Sequence, residues 1–273
     1  MTGDRANHPR VVAILQARMG SSRLPRKVLR PLLGRPMLVH ILERVKSAKR
    51  LDGIVVATTD LPEDREIIDL ACQHGVEGFA GPVEDVLTRY HLAAQAHEAD
   101  VIVRVGGDEP FLDPPTVDLM VRRHLESGAD YTDNCRMVQS FPRGLDVEVV
   151  SRPTLDRIAR VAQEPHQREH VTPYLYEHPE EFKITLVEAE GELRRPDLRL
   201  VVDTPEDFQL VEAVYQALWV PGEIIDVRRA IRFLDSRPDL ARLNAHVMQR
   251  SARPSPCPLP PHPASPHGGE EKR

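Results

Sequence analysis

Two common phosphate-binding signatures are missing from this chain of 273 residues: neither GxxxxGK[ST] nor GxGxxG occurs. Their absence removes the Walker-type ATPase and the Rossmann dinucleotide-binding readings. Cysteine is scarce, with Cys72, Cys135 and Cys257 far apart and no CxxC pair, which excludes a disulfide framework and a thiolate zinc site and implies a reducing compartment. HExxH is lacking as well. His166 and His170 stand four apart without a third ligand at a suitable spacing, so one of them is expected to bond substrate or to pack rather than to hold zinc. No apolar run approaches membrane-spanning length, and Met1 to Arg10 is polar and charged with no apolar segment behind it. The expectation is a cytoplasmic protein with no membrane partner. Finally, no basic excess is present, 36 Lys and Arg standing against 42 Asp and Glu for a net charge of −6. Nucleic acid is therefore not an expected partner.

What the chain does contain is globular in character. Hydrophobic residues make up 41% and charged residues 29%, enough to bury a core over one α/β domain. VVAILQA (Val11 to Ala17), GIVVATT (Gly53 to Thr59), DVIVRVG (Asp100 to Gly106) and LRLVV (Leu198 to Val202) are apolar, β-branched runs, the pattern of strands covered on both faces. Between them, apolar stripes at helical spacing (Met37, Leu38, Ile41, Leu42, Val45, then Val86, Leu87, Tyr90, Ala93, Ala94) predict amphipathic helices. Such alternation implies βαβ units, a mostly parallel sheet, and ligands at the carboxyl ends of the strands. From Tyr131 to about Val187 the alternation loosens, with a strand-like stretch at Leu145 to Val150 and a helix around Pro153 to Ala162. A small excursion, a lid or dimer arm, is expected there. Helical patterns follow at Pro205 to Leu218, Ile224 to Leu234 and Pro238 to Gln249. Seven of the 25 prolines fall after Arg250, where little bulky apolar surface is available for ordering. The expected organisation is an extension over 1–10, a single domain over 11–249 and a disordered Pro-rich tail over 250–273.

Charge is unevenly spread. Between Ala17 and Arg50 ten basic residues face one acid, Glu43. Within that stretch QARMGSSRLPRK (Gln16 to Lys27) follows the first strand directly. Gly20, Ser21 and Ser22 allow a tight turn whose amides and hydroxyls can face an anion, and Arg18, Arg23 and Lys27 surround it with positive charge. A solvated basic loop has the same composition, but the position at the end of the first parallel strand favours nucleotide binding. Two acids arrive at other strand ends: Asp108, after Gly106 and Gly107, and Asp203 in VVDTPED. Asp203 taken alone reads as a helix cap. Together with Asp108 beside a phosphate loop it forms a hard-cation pair that suits Mg2+ better than zinc.

The motifs QARMGSSRLPRKVL, GRPMLVHILERV, VVATTD, EDVLTRYHLAA, IVRVGGDEPFLDP, PRGLDVEVVS, REHVTPYLYEHPEEFKI and RLVVDTPEDFQLV resemble the cytidylyltransferase family that includes the acylneuraminate and Kdo cytidylyltransferases, and most of all its branch of spore coat polysaccharide biosynthesis protein F. The resemblance spans about Val11 to Leu218. It implies a Rossmann-like three-layer α/β nucleotidyltransferase fold, CTP as donor, Mg2+ as cofactor, a nonulosonate-type sugar acid as acceptor and a homodimer, serving sugar activation for a surface glycan. By motif matching, Arg18, Ser22, Arg23 and Lys27 hold the triphosphate, joined in the nucleotide site by Ala17, Gly20, Ser21, Thr59, Asp60, Arg89 and Gly107. Asp108 and Asp203 ligate the metal, and Gly144, Asp146, Glu148 and His170 line the sugar side. The HxSGTDR signature of Kdo-type members is replaced here by GPVEDVLTR (Gly81 to Arg89), which points away from Kdo itself.

The implied chemistry is in-line attack of the anomeric hydroxyl on the α-phosphorus with loss of pyrophosphate. Lys27 leads the charge stabilisation, with Arg18 and Arg23 in support. As a cation on an exposed loop, Lys27 is expected to matter far more to turnover than to folding. The rival readings are a nucleotidyltransferase with another nucleotide or acceptor, and a non-catalytic nucleotide-binding module of a glycan-assembly complex.

Overall fold

The computed structural model describes residues 8–249. The expected tail over 250–273, and all but residues 8–10 of the expected extension, lie outside the described residues. Nine strands run β1 (Val11–Gln16), β2 (Pro31–Leu32), β3 (Arg35–Pro36), β4 (Gly53–Thr59), β5 (Glu77–Gly81), β6 (Val101–Gly106), β7 (Tyr131–Asp133), β8 (Glu148–Ser151) and β9 (Ile184–Leu186). The helices are α1 (Met37–Lys46), α2 (Arg65–Gln73), α3 (Val86–Ala96), α4 (Pro114–Ser127), α5 (Arg152–Val161), α6 (Pro165–His170), α7 (Pro173–Glu177), α8 (Pro205–Leu218), α9 (Val227–Ser236) and α10 (Pro238–Ala241).

One seven-stranded sheet has the order β5-β4-β1-β6-β8-β7-β9. Only β8 runs against its neighbours; all the other pairs in the sheet are parallel. Strands β1, β4 and β6 are mostly apolar because both of their faces are covered, Arg104 of β6 being the charged exception. Val11, Ala13 and Leu15 of β1 share a core with Leu38 and Ile41 of α1, Met120 of α4 and Val211 of α8. Val12 and Ile14 share the opposite core with Leu87 and Tyr90 of α3 and Leu155 of α5. This is the three-layer α/β architecture that the sequence implied.

The chain leaves β1 for β4 on one side and later returns to β6 on the other. The order of connection therefore reverses between β1 and β6, and a crevice opens beyond their carboxyl ends, where open α/β sheets bind ligands.

Three expectations need correction. Leu198 to Val202 is extended and buried but is not a strand of the sheet; it makes one isolated bridge, Arg143 to Arg199. Apolar periodicity reported its burial and carried no information about its partner. The stretch 131–187 adds β7, β8 and β9 to the main sheet instead of leaving it. The helix expected over Pro238 to Gln249 stops at Ala241, after which Asn244 turns inward to bond the Arg199 carbonyl at 3.0 Å.

Candidate active site

The basic turn is built by local hydrogen bonds. The Met19 carbonyl accepts from the amides of Ser21 (2.9 Å) and Arg26 (3.1 Å), and the Met19 amide donates to Asp64 Oδ1 at 2.7 Å. Arg26 takes a left-handed φ of 58° and starts the short 3-10 turn Lys27–Leu29, which throws Lys27 back toward the sheet. The Ser21 amide is thus engaged within the turn rather than offered to an anion. Those of Gly20, Ser22 and Arg23 have no protein acceptor among the described residues.

Lys27 Nζ donates to Asp108 Oδ2 at 2.7 Å, to the Val202 carbonyl at 2.8 Å and to Asp203 Oδ1 at 2.9 Å. Its three protons are all engaged, and its side chain is only 12% exposed. Here the expectation of a freely exposed loop cation fails. Burial alone would lower the Lys27 pKa, but Asp108 and Asp203 outweigh it and hold the ammonium charged above the ordinary lysine range. Burial in turn opposes ionisation of Asp203, yet Lys27 and Arg23 depress its pKa. Arg23 Nη2 lies 3.1 Å from Asp203 Oδ1.

The cap reading of Asp203 is excluded by its neighbours. Thr204 caps α8 in a reciprocal box with Asp207, which leaves the Asp203 side chain free to face the cleft.

Gly107 lines the cleft and also closes the backbone beneath it. The Gly107 amide donates to the Gln16 carbonyl at 2.8 Å, and a Cβ on Gly107 would meet that same oxygen at 2.7 Å. The ends of β1 and β6 can be stitched this closely only by glycine, and the stitch fixes Asp108 opposite the basic turn.

A cleft of about 420 Å³ lies over these strand ends. Of the residues singled out from sequence, Ala17, Arg18, Gly20, Ser21, Ser22, Arg23, Lys27, Gly107, Asp108, Asp146, His170 and Asp203 all line it. Thr59, Asp60, Arg89, Gly144 and Glu148 stand outside its wall. Thr59 is buried and bonds Asp64, the residue that anchors the turn. Asp60 is exposed. Arg89 is buried and donates to the carbonyls of Pro82 and Val83. Gly144, at φ 97°, packs so tightly that a Cβ would lie 2.6 Å from the Val201 amide.

Glu148 acts from behind the wall. It is buried against Arg104 and Arg136, accepts from Tyr131 and Thr172 at 2.6 Å each, and has its pKa lowered to about 2: burial opposes ionisation, but the two guanidinium groups prevail.

Sequence reasoning missed the far side of the cleft, where Arg104, Arg136, Arg143, Glu109 and Glu169 join Asp146 and His170. A signal for Arg104 was available: a charged residue inside VIVRVG must find a partner once buried, and Glu148 is that partner. Burial, with the charges of Asp146 and Asp108, raises the Glu109 pKa well above the usual carboxylate range. Arg104 Nε and Asp146 Oδ1 are buried with no protein partner. Of the two histidines four residues apart, His166 bonds Glu177 at 2.8 Å and His170 faces the cleft.

A family model described as cytidylyltransferase matches residues 12–222. The spore coat polysaccharide biosynthesis protein SpsF of Bacillus subtilis is 38% identical over 239 residues, 85% of this chain and 96% of that protein. Among solved structures, a cytidylyltransferase from Leptospira borgpetersenii superposes with a TM-score of 0.81 at 31% identity, covering 86% of this chain and 98% of the other. A CMP-2-keto-3-deoxy-manno-octonic acid synthetase solved with CTP shares the fold, with a TM-score of 0.59 at 21% identity over 76% of this chain and 99% of that one.

Proposed function

The chain belongs to the cytidylyltransferase family, and from that premise we propose that it transfers CMP from CTP to a sugar acid of the nonulosonate type, releasing pyrophosphate, with Mg2+ as cofactor. The product would be an activated sugar for a surface polysaccharide, made by a homodimer in the cytoplasm. The observation that carries the reading is the meeting of Asp108, Asp203 and the basic turn at Lys27 Nζ. Two carboxylate oxygens that converge on one ammonium define a position for a single hard cation, and oxygen donors beside a phosphate loop suit magnesium. When bound, Mg2+ supplies neutralisation of charge on the phosphate oxygens.

The protein's own groups divide the remaining work. Arg18 and the free amides of Gly20, Ser22 and Arg23 receive the triphosphate. Lys27, released from the acids, stands next to the reacting phosphorus and stabilises the charge that grows there and on pyrophosphate as it leaves. On the far side, Arg143 has no ion pair among the described residues and offers a guanidinium to the acceptor's carboxylate. Arg104 Nε and Asp146 Oδ1 add an unpaired donor and an unpaired acceptor. A polyhydroxylated ligand would satisfy groups that are otherwise costly to bury.

The test is to incubate the protein with CTP, Mg2+ and a panel of nonulosonic acids and to follow product by mass. A CMP-sugar with stoichiometric pyrophosphate is expected. Product from another nucleotide only, or saturable CTP binding without product from any acceptor, would overturn the proposal in favour of a different transferase or a binding module.

A further inference from the structure

The segment 198–202 lies off the sheet, yet it must deliver Asp203 to the cleft. What holds it is a guanidinium. Arg199 is buried at 7% exposure and is engaged on every edge. Its Nε donates to Asp207 Oδ1 at 2.8 Å and its Nη2 to Asp207 Oδ2 at 3.1 Å. Nη2 also donates to Asp203 Oδ2 at 2.8 Å, and Nη1 to Gln249 Oε1 at 2.6 Å. Asp207 is itself fully buried; its carboxylate receives the amides of Asp203 and Thr204 at 2.9 and 3.0 Å and Asn244 Nδ2 at 2.8 Å.

We infer that Arg199 is a positioning residue for the cation site: it takes one oxygen of Asp203 so that Oδ1 alone is presented to the cleft, and the C-terminal segment through Asn244 and Gln249 buttresses it. This rests on the proposed reading of Asp203 as a cation ligand. Two features separate the arrangement from ordinary packing. First, the arginine charge is matched by the buried Asp207 charge, so the pair as a whole adds little net charge and Asp203 keeps its own for the cation. Second, the fork of Arg199 is held by both oxygens of Asp207, through Nε and Nη2, and this two-point contact fixes where Nη2 stands to meet Asp203 Oδ2. Gln249 both lines the cleft and bonds Arg199, so the end of the described chain belongs to the same device.

The experiment titrates Mn2+ into the full chain in the presence of CTP and without acceptor, reading free Mn2+ by EPR, beside a CTP titration in EDTA and a circular-dichroism melt. Removal of a group that orients a metal ligand typically weakens the metal by about 10–100-fold. Arg199→Met is expected to weaken Mn2+ by about tenfold or more while CTP affinity in EDTA stays within about twofold, and Arg199→Lys, which keeps the charge and loses the fork, to recover part of the loss. Should Arg199→Met fail to fold, Gln249→Ala, which removes one outer contact, is expected to weaken Mn2+ by about threefold. Wild-type protein that binds Mn2+ together with folded variants that bind it equally well overturns the inference alone. Wild-type protein that binds CTP but no Mn2+ overturns the reading of Asp203 and this inference with it.

Discussion

Asp108 and Asp203 share one ammonium: Oδ2 of the first lies 2.7 Å and Oδ1 of the second 2.9 Å from Lys27 Nζ. If these acids are metal ligands, as proposed, the position of the cation is filled here by a side chain of the basic turn, and the two cations would exchange when nucleotide and metal arrive. Replacement of Lys27 by Met should lower turnover by about 10²–10³-fold, the range found when a single charge-stabilising donor is deleted. Steady-state kinetics with the preferred acceptor measures it.

The same variant should make stability depend on metal. With Lys27 gone, two partly buried acids face each other, at a cost of about 2–3 kcal/mol, less than for a fully buried pair because Arg23 and Arg199 still hold Asp203. Added Mg2+ should restore the melting temperature of Lys27→Met while leaving that of the wild type nearly unchanged without nucleotide. Equal responses to metal in differential scanning calorimetry would disprove the exchange.

Arg18 lines the cleft and has no ion pair among the described residues. Its removal should raise KM for CTP by about tenfold, as expected for loss of a charge-assisted phosphate contact, with stability held within about 0.5 kcal/mol. Urea denaturation beside the kinetics separates these effects.

A different balance holds at Glu148. Its pKa falls from 4.5 to about 2 on folding, so the folded state favours the ionised form. The stabilisation is complete above the unfolded value and disappears as pH falls from about 4.5 toward 2. The shift corresponds to about 3 kcal/mol. Glu148→Gln should be less stable than wild type at pH 7 by an amount of that order, and the difference should close on acidification. A gap independent of pH in urea melts taken between pH 7 and 3 would contradict this.

Gly144 offers a steric check on the segment behind the cleft that leads to Asp203. An alanine there would combine a φ of 97° with backbone atoms of Leu200 and Val201 at 2.6–2.7 Å from the new Cβ. Neither neighbour is a side-chain end that can yield. Gly144→Ala should lose about 3 kcal/mol or more and, by shifting the segment that carries Asp203, weaken metal binding as well.

How much of this was readable in the sequence follows from which residues carry local information. Strands β1, β4 and β6 announced themselves because burial on both faces makes them apolar and β-branched over nearly their whole length. Strands β7 and β9, three residues each, are too short to establish a period, and Leu198 to Val202 carried the marks of a strand for the sake of burial alone. The turn after β1 and Asp108 could be singled out because each sits next to a strand end, and Asp203 because it follows the strand-like apolar run 198–202. Arg136 and Arg143 were not, since their place depends on how β8 returns beside β6. Glu148 was assigned to the sugar wall on its motif, whereas its carboxylate works behind that wall on Arg104 and Arg136. The bracing of Asp203 by Arg199, Asp207, Asn244 and Gln249 joins residues that no spacing rule connects.

One cation shared by two acids and a triphosphate is the centre of the proposed site. Crystals grown with CTP and Mn2+, measured at the manganese absorption edge, test it most directly. A single anomalous peak within coordinating distance of both Asp108 and Asp203, with phosphate oxygens of CTP on the same ion and Lys27 moved onto the triphosphate, is the predicted result. A nucleotide bound in the cleft with no peak between those carboxylates, or with Lys27 still bridging them, would contradict it.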